Sequence, residues 1–282
     1  MGKKRDHVRN IVVISDLHCG CRLGLMPPQP RRVDDGGHYK PSEFQRKVWR
    51  WWREFWRWVE VTTHGEPYDL VLNGDAMDGT HHNSVTQVSH NLSDQMRIAK
   101  AVLQPRVACA RNYYHIRGTE AHSGKSAQKE EELAESLGAV PNGYEQYARW
   151  ELWKLLGVRN EILIHFAHHI GTTGSQAYES TAVLKELVDA YVEAGRWKKR
   201  PPDCIVRSHR HRSIQVQVPT ANALGVSVVT PGWQGKTPFV WRIPGGRQSE
   251  PQFGGVLIRE APDGVWYVTP WVRSLDRTKP EA

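Results

Sequence analysis

Long apolar runs are what this chain most lacks. None approaches the roughly 18 consecutive apolar residues that a membrane-crossing helix needs, so no span and no stable membrane association are expected. The basic opening, Met1 to Arg9, leads only into Ile11 to Ile14, too short for a signal-peptide core. A cytoplasmic protein is expected. Cysteine is also scarce: Cys19, Cys21, Cys109 and Cys204 are the four, and they read as free thiols of a reducing compartment. Cys19-Gly20-Cys21 has no second pair with which to complete a structural zinc site. A phosphate-cradling glycine loop is missing too. Gly124-Lys125-Ser126 looks like the tail of a Walker A motif, but the residue five places before Gly124, where glycine is required, is Thr119. That excludes a P-loop; Ser126 is expected instead to cap a helix over 127 to 137. Acidic residues, finally, are outnumbered, 30 against 38 Lys and Arg, for a net charge of +8. Such a surplus tilts towards polyanionic partners without deciding among them.

No linker, repeat or shift of composition divides the 282 residues, of which 39% are apolar, enough for one sizeable core. A single domain over 1–282 is expected. Its strands read as short apolar runs, each stopping at polar residues. Ile11 to Ser15 delivers Asp16 and His18, which as positions i and i+2 face one side of an extended chain. Tyr68 to Asn73 hands Asp75 to a loop through Gly74, with Asp78, His81 and His82 beyond it. Asn112 to Ile116 runs into Gly118, Thr119, Glu120 and His122. Ile162 to Ala167 ends in His168-His169, and Cys204 to Arg207 in Ser208, His209, Arg210 and His211.

Between these strands, residues 19 to 42 predict a long rim loop, rich in Pro, Gly and Arg. Helical patterns cover 91 to 110 and roughly 176 to 194. From Ser213 to Arg273 the segments 214–218, 225–230, 238–242, 254–259 and 265–272 predict mostly antiparallel sheet. The most tryptophan-dense stretch, about 43–60, predicts a helix starting at Pro41-Ser42-Glu43. Phe44, Val48, Trp49, Trp51, Trp52, Phe55, Trp56, Trp58 and Val59 fill half its circumference, and Arg46, Arg50, Arg53 and Arg57 form a narrow stripe opposite. Core packing with a solvated Arg stripe, a lid or oligomer contact, and a membrane-surface helix all remain open.

Ligands of α/β folds bind beyond the carboxyl ends of the strands, so five such ends predict five clusters along one edge of one sheet. Carboxylate and imidazole without thiolate suit Mn²⁺, Fe, Zn²⁺ or Ni²⁺ better than Ca²⁺ or Mg²⁺ alone. There are also too many ligands for one ion. Two divalent metals about 3.5–4 Å apart, bridged by one carboxylate, are a common device for displacement at phosphorus, where they generate a hydroxide near neutral pH.

In order and spacing these residues resemble the calcineurin-like metallophosphoesterases, over roughly residues 11 to 212. The matching motifs are Asp-x-His (Asp16, His18), Gly-Asp-x-x-Asp (Gly74, Asp75, Asp78), a glycine-led third motif from Gly118, a lone strand-end His, and a Gly-His-x-His-like motif (Ser208, His209, His211). The resemblance implies a four-layer α/β/β/α sandwich with two mixed β-sheets. It implies two divalent metals, Mn²⁺ first, with Asp16, His18 and His211 on one, His168 (or His169) and His209 on the other, and Asp75 bridging. The implied activity is phosphodiester hydrolysis by metal-bound hydroxide, plausibly on nucleic acid (DNA or RNA) or nucleotides. A phosphomonoesterase, or a degenerate member that binds nucleic acid or a partner without turnover, is the alternative.

Two positions depart from the family pattern. Where the third motif has Gly-Asn-His followed by an acid, Gly118 is followed by Thr119 and Glu120. By position Thr119 replaces the metal ligand and Glu120 is the acid. His122 is expected instead to supply the imidazole, with Thr119 or Glu120 completing the second metal, since histidine titrates near the working pH without perturbation. Ser208 stands for glycine. His81, His82 and Arg210 are candidates for contacting substrate phosphate, whereas His38, His64, His90 and His115 are expected to be bystanders.

Overall fold

Two apolar faces on each central strand set the layers of this protein, for which the computed structural model describes residues 8 to 276 except 35, 82, 125, 172–174, 222, 244, 245, 247 and 248. In chain order the first elements are β1 (Asn10–Ile14), a short hairpin of β2 (Arg31–Arg32) and β3 (His38–Tyr39), α1 (Glu43–Thr63), β4 (Tyr68–Asn73), α2 (Leu92–Val107) and β5 (Asn112–Ile116). A single helical turn, α3 (Glu120–Ser123), then leads to α4 (Gln128–Ser136), β6 (Ala148–Arg149), β7 (Glu151–Leu156) and β8 (Ile162–Ala167). The rest comprises α5 (Glu179–Arg196), β9 (Cys204–Arg207), β10 (Ile214–Thr220), β11 (Ala223–Val229), α6 (Pro238–Arg242), β12 (Gln252–Glu260) and β13 (Trp266–Ser274).

The strands form a six-stranded sheet of order β13-β12-β1-β4-β5-β6 and a five-stranded sheet of order β10-β11-β9-β8-β7. Both are mixed: β1, β4, β5, β6 and β13 run one way with β12 antiparallel between β13 and β1, and β8, β9 and β11 run parallel with β7 and β10 antiparallel. Because side chains alternate across a strand, Ile11, Val13 and Val71 enter one core with Ile164, Phe166, Val206 and Val228 of the other sheet. Val12, Ile14, Leu70 and Leu72 enter a second core with α1, α2 and α4. Helix α5 packs on β9, β10 and β11 through Ala182, Val183 and Leu187. The result is an α/β/β/α sandwich.

Helix α1 starts at a reciprocal cap: Gln45 N donates to Ser42 Oγ at 3.2 Å and Ser42 N to Gln45 Oε1 at 3.1 Å. Its aromatic face packs inward. Trp52 lies edge-on to Trp233 at 4.9 Å between centroids and to Trp56 at 5.4 Å.

Four sequence expectations change. The strand-end clusters lie on two sheets, because the chain leaves the first sheet at Ala148–Arg149 and enters the second at once as Glu151–Leu156. Residues 238–242 form helix α6, which Pro238 and the Thr237 hydroxyl start. Helix α4 is not capped by Ser126: Ala127 is its first cap, in left-handed backbone (φ 51°), and Glu130 and Glu131 favour its first turn by charge. The rim loop, finally, has a buried base, formed by Cys19, Cys21, Leu25 and Met26.

Candidate metal centre

Beyond β1 and β4 the chain keeps pairing after the strands have ended. Asp16 N donates to Gly74 O at 3.0 Å, His18 N to Asp75 O at 3.1 Å and Cys19 N to Ala76 O at 3.0 Å. These rails carry Asp16, His18 and Asp75 side by side, all three in left-handed backbone (φ 53°, 44° and 53°). From the second sheet, β8 delivers His168 and β9 delivers His209 and His211, the last two also at positive φ. The two sheets are tied there by Asn73, whose Nδ2 donates to Ser208 Oγ at 2.6 Å and to Ala167 O at 3.1 Å.

Among the described residues, four sets of three side chains could each hold a cation: Asp16, His18, His211; His18, Asp75, His122; Asp75, His168, His209; and Asp78, His81, His122. Asp75 Oδ2 lies 3.1 Å from His168 Nε2, 3.9 Å from His122 Nε2 and 4.0 Å from His18 Nε2. His211 Nε2 is 3.3 Å from Asp16 Oδ1 and 3.1 Å from His18 Nε2. Two imidazole nitrogens facing each other so closely repel unless a proton or cation lies between their lone pairs.

Surrounding groups select the ligand atoms. His168 Nδ1 donates to the Asn73 carbonyl at 2.7 Å and His122 Nδ1 to the Asp78 carbonyl at 2.6 Å, so each Nε2 points inward. His18 Nδ1 is 3.3 Å from Asp78 Oδ1, and Asp78 is itself fixed by Gln87 Nε2 at 2.8 Å and Gln234 Nε2 at 2.9 Å. Thr119 holds Asp75, its amide donating to Oδ1 at 2.8 Å and its hydroxyl approaching both oxygens at 3.2 and 3.3 Å. Backbone approaches the ligands closely at Gly118, where a Cβ would collide with Asp75 Oδ1, and at Gly74, where it would collide with His168 Nδ1.

Burial would raise both central carboxylates, but neighbouring imidazoles outweigh it. His211 holds Asp16 at about 2, and His168 with His122 holds Asp75 well below the usual carboxylate range. Burial likewise opposes charge on His168, yet Asp75 raises it to about 10; Asp16 raises His211. His18 and His209, desolvated and facing other imidazoles, fall to about 4.

A metal pair fits these residues. His168 Nε2 and Asp16 Oδ1 are buried without a hydrogen-bond partner. The donor set is nitrogen and oxygen only; burial keeps the thiols of Cys19 and Cys21 protonated, and neither joins a cation-sized set.

Other sequence candidates fall differently. His169 is exposed and belongs to no such set, which leaves His168 as the strand-end histidine in the cluster. Glu120 is exposed at the start of α3 and also joins none. Arg210 turns its guanidinium to the Gly171 carbonyl, towards the acidic side of α5. His81 stands 3.8 Å from Asp78 Oδ2, its ring 4.5 Å from that of His122. His82 lies outside the described residues. Sequence reasoning missed Gln87, Gln234, Ser15, Thr230 and Gly232. The only local cue was the small-residue break Thr230-Pro231-Gly232 after a strand, and Gln87 carried none.

No protein-family model matches the chain, and no curated protein matches it. Among solved structures it is similar to Vps29 of Chaetomium thermophilum, at 13% identity and TM-score 0.40 over 98% of this chain and 100% of that one. The same protein complexed with the RaPID-derived cyclic peptide RT-D3 gives 12% and 0.33 over 94% and 95%. The solution structure of Thermotoga maritima protein TM1076 gives 11% and 0.34 over 95% and 100%. Likeness this distant leaves function to the site itself. No helix among the described residues is long and apolar enough to cross a membrane.

Proposed function

We propose that the chain is a calcineurin-like metallophosphoesterase that hydrolyses phosphodiesters, with nucleic acid or nucleotides as the substrate class. One observation carries this: Asp75 Oδ2 lies within 4.0 Å of ligand-type nitrogens from both sheets, His18 on one side and His168 on the other. Asp16, His18 and His211 would hold one divalent cation and His168 and His209 a second, with Asp75 shared; Mn²⁺ is the first choice, then Fe, Zn²⁺ or Ni²⁺. Such a pair, when bound, polarises a phosphoryl oxygen and lowers the pKa of water towards neutrality.

The chain's own residues supply the rest. Thr119 acts as a clamp that keeps Asp75 in place, with both its amide and its hydroxyl engaged on that carboxylate. His122, anchored through Nδ1, presents Nε2 as the atom that takes up and releases a proton at the leaving oxygen. His81, beside it, is placed to contact a substrate phosphate. Glu120 has no part in this scheme, being exposed.

Asp75→Asn tests the proposal. It is expected to abolish Mn²⁺-dependent hydrolysis of bis-p-nitrophenyl phosphate and to lower bound metal while circular dichroism stays unchanged. Near-normal turnover would remove the bridging role. Thr119, standing where the family has an Asn ligand, favours a second reading: a metal-binding member without turnover. Metal bound, but no hydrolysis of aryl mono- or diesters, single- or double-stranded DNA or cyclic nucleotides, would establish that alternative.

A further inference from the structure

Arg46, Arg50, Arg53 and Arg57 lie exposed on the outer side of α1. Spaced i, i+4, i+7 and i+11, they fall within an arc of about 60° over a rise of about 16 Å. None of the four has an ion pair or side-chain hydrogen bond among the described residues. Neighbouring charges are already engaged: Glu54 with Arg273 at 3.4 Å, Lys47 with Asp276 at 2.8 Å. Only Glu43 and Glu60, at the two ends of the helix, add exposed carboxylates. Arg106, over the Trp56 ring at 5.0 Å, brings a further cation close enough to be repelled by Arg53.

This face offers charge without apolar anchors. Trp51, Trp52, Phe55 and Trp56 are buried, and Val61 at the end of the helix is the one strongly exposed apolar side chain of α1. A bilayer surface or a protein hot spot would want aromatic residues outward. A row of guanidiniums suits phosphates, which arginine grips in bidentate fashion. The row also begins at the end of α1 whose inward side packs on loops that border the metal centre. Gln45, next to Arg46, donates to the Cys21 carbonyl at 3.1 Å, and Phe44 packs on Gly235, one residue after the Gln234 that fixes Asp78.

We propose that the Arg46–Arg57 stripe is a docking track for a nucleic-acid backbone, leading a strand to or from the metal centre. The choice of nucleic acid rests on the phosphodiesterase proposal above; the polyanion track rests on the helix alone.

The test is fluorescence anisotropy of metal-loaded protein with hydrolysis-resistant phosphorothioate 20-mers, single- and double-stranded, across a salt series. Replacing all four arginines by Gln is expected to weaken binding more than tenfold at 0.1 M salt. The slope of log K against log salt should become shallower by about three, since each lost phosphate contact removes about 0.7–0.9. The four-Lys variant should keep most of the slope, and Arg50→Gln with Arg53→Gln about half of it, which separates lost charge from lost folding. Bis-p-nitrophenyl phosphate hydrolysis should not change in any of them. An unchanged slope in the Gln variant, no binding by the parent protein, or loss of binding to anionic vesicles with 20-mer binding intact would each overturn the track. Charge-dependent 20-mer binding without any hydrolysis would uphold the track and overturn the phosphodiesterase instead.

Discussion

Ser208→Gly restores the residue that the resembled motif carries, and the structure argues that it is harmful. Ser208 is fully buried and is not among the residues with positive φ, so glycine brings no conformational relief. Its hydroxyl accepts from Asn73 Nδ2 at 2.6 Å and meets Thr230 Oγ1 at 2.7 Å, which in turn meets Ser15 Oγ at 2.7 Å. The chain of four polar side chains thereby joins the ends of β4, β9, β11 and β1 across the two sheets. Removing one buried partner leaves others unsatisfied, at about 1–3 kcal/mol, and glycine adds about 0.5–1 kcal/mol of backbone entropy. The sum is about 1.5–4 kcal/mol. With an unfolding entropy of about 2.1 cal/mol/K per residue, the 282 residues give about 0.6 kcal/mol/K, so Tm should fall by about 3–7 °C. Ser208→Ala, which loses the hydroxyl alone, should fall by less. Thermal melts and urea midpoints of metal-free protein measure both. A Ser208→Gly protein as stable as its parent would refute the idea that this network holds the sheets together.

Glycine approach makes a second, graded expectation. Gly118→Ala should cost most of the metal affinity, because its Cβ collides with Asp75, whereas Gly232→Ala, whose nearest contact is Asp16 Cβ at 2.9 Å, should keep a measurable share; competition dialysis that ranks them equal would contradict the geometry. The third concerns pH. His168, raised to about 10 in the metal-free fold, contributes stability that is complete below its unfolded value near 6.5 and lost as pH rises towards 10. Depressed Asp75 and Asp16 contribute stability present above the ordinary carboxylate pKa and lost as pH falls. Metal must displace the His168 proton, so affinity should rise with pH by about tenfold per unit for each proton released. Metal-free protein should therefore weaken between pH 7 and 10 while metal affinity increases. Calorimetry in buffers of different ionisation enthalpy that finds no proton release would rule this out.

The strand ends were legible because their signal is local. An apolar run that stops at Asp16-x-His18 or at Gly74-Asp75 needs no knowledge of its neighbours. Sheet membership is not local: β8 and β5 look alike as sequences, and only the two-residue β6 followed at once by β7 reveals the crossing between sheets. The groups that orient the ligands were invisible for the same reason. Gln234 reaches Asp78 across 156 positions, and the Glu130 carboxylate that accepts from Gly118 N at 2.8 Å, fixing the third motif, looks in sequence like a solvated helix residue. By contrast α6 was legible and misread, since Thr237-Pro238 is a helix start.

Backbone conformation adds an argument that no motif carries. Asp16, His18, Asp75, His209 and His211 account for five of the ten described non-glycine residues at positive φ. A left-handed L-residue costs about 1–2 kcal/mol, and glycine would sit at each place for less. Turn geometry alone would thus select against histidine at three of these positions, where asparagine or glycine is the cheaper choice. The strain is supported by the continued pairing of β1 with β4 beyond their ends and by the Ser208 network. It is concentrated on side chains that converge on Asp75 and Asp16, so its return lies in what those side chains hold. Replacing His209, at φ 73° and kept uncharged by burial and the neighbouring His168, with Gly separates the two contributions: metal-free Tm should rise or hold while metal binding falls. A metal-free protein that loses stability would mean that the imidazole serves the fold rather than the cation.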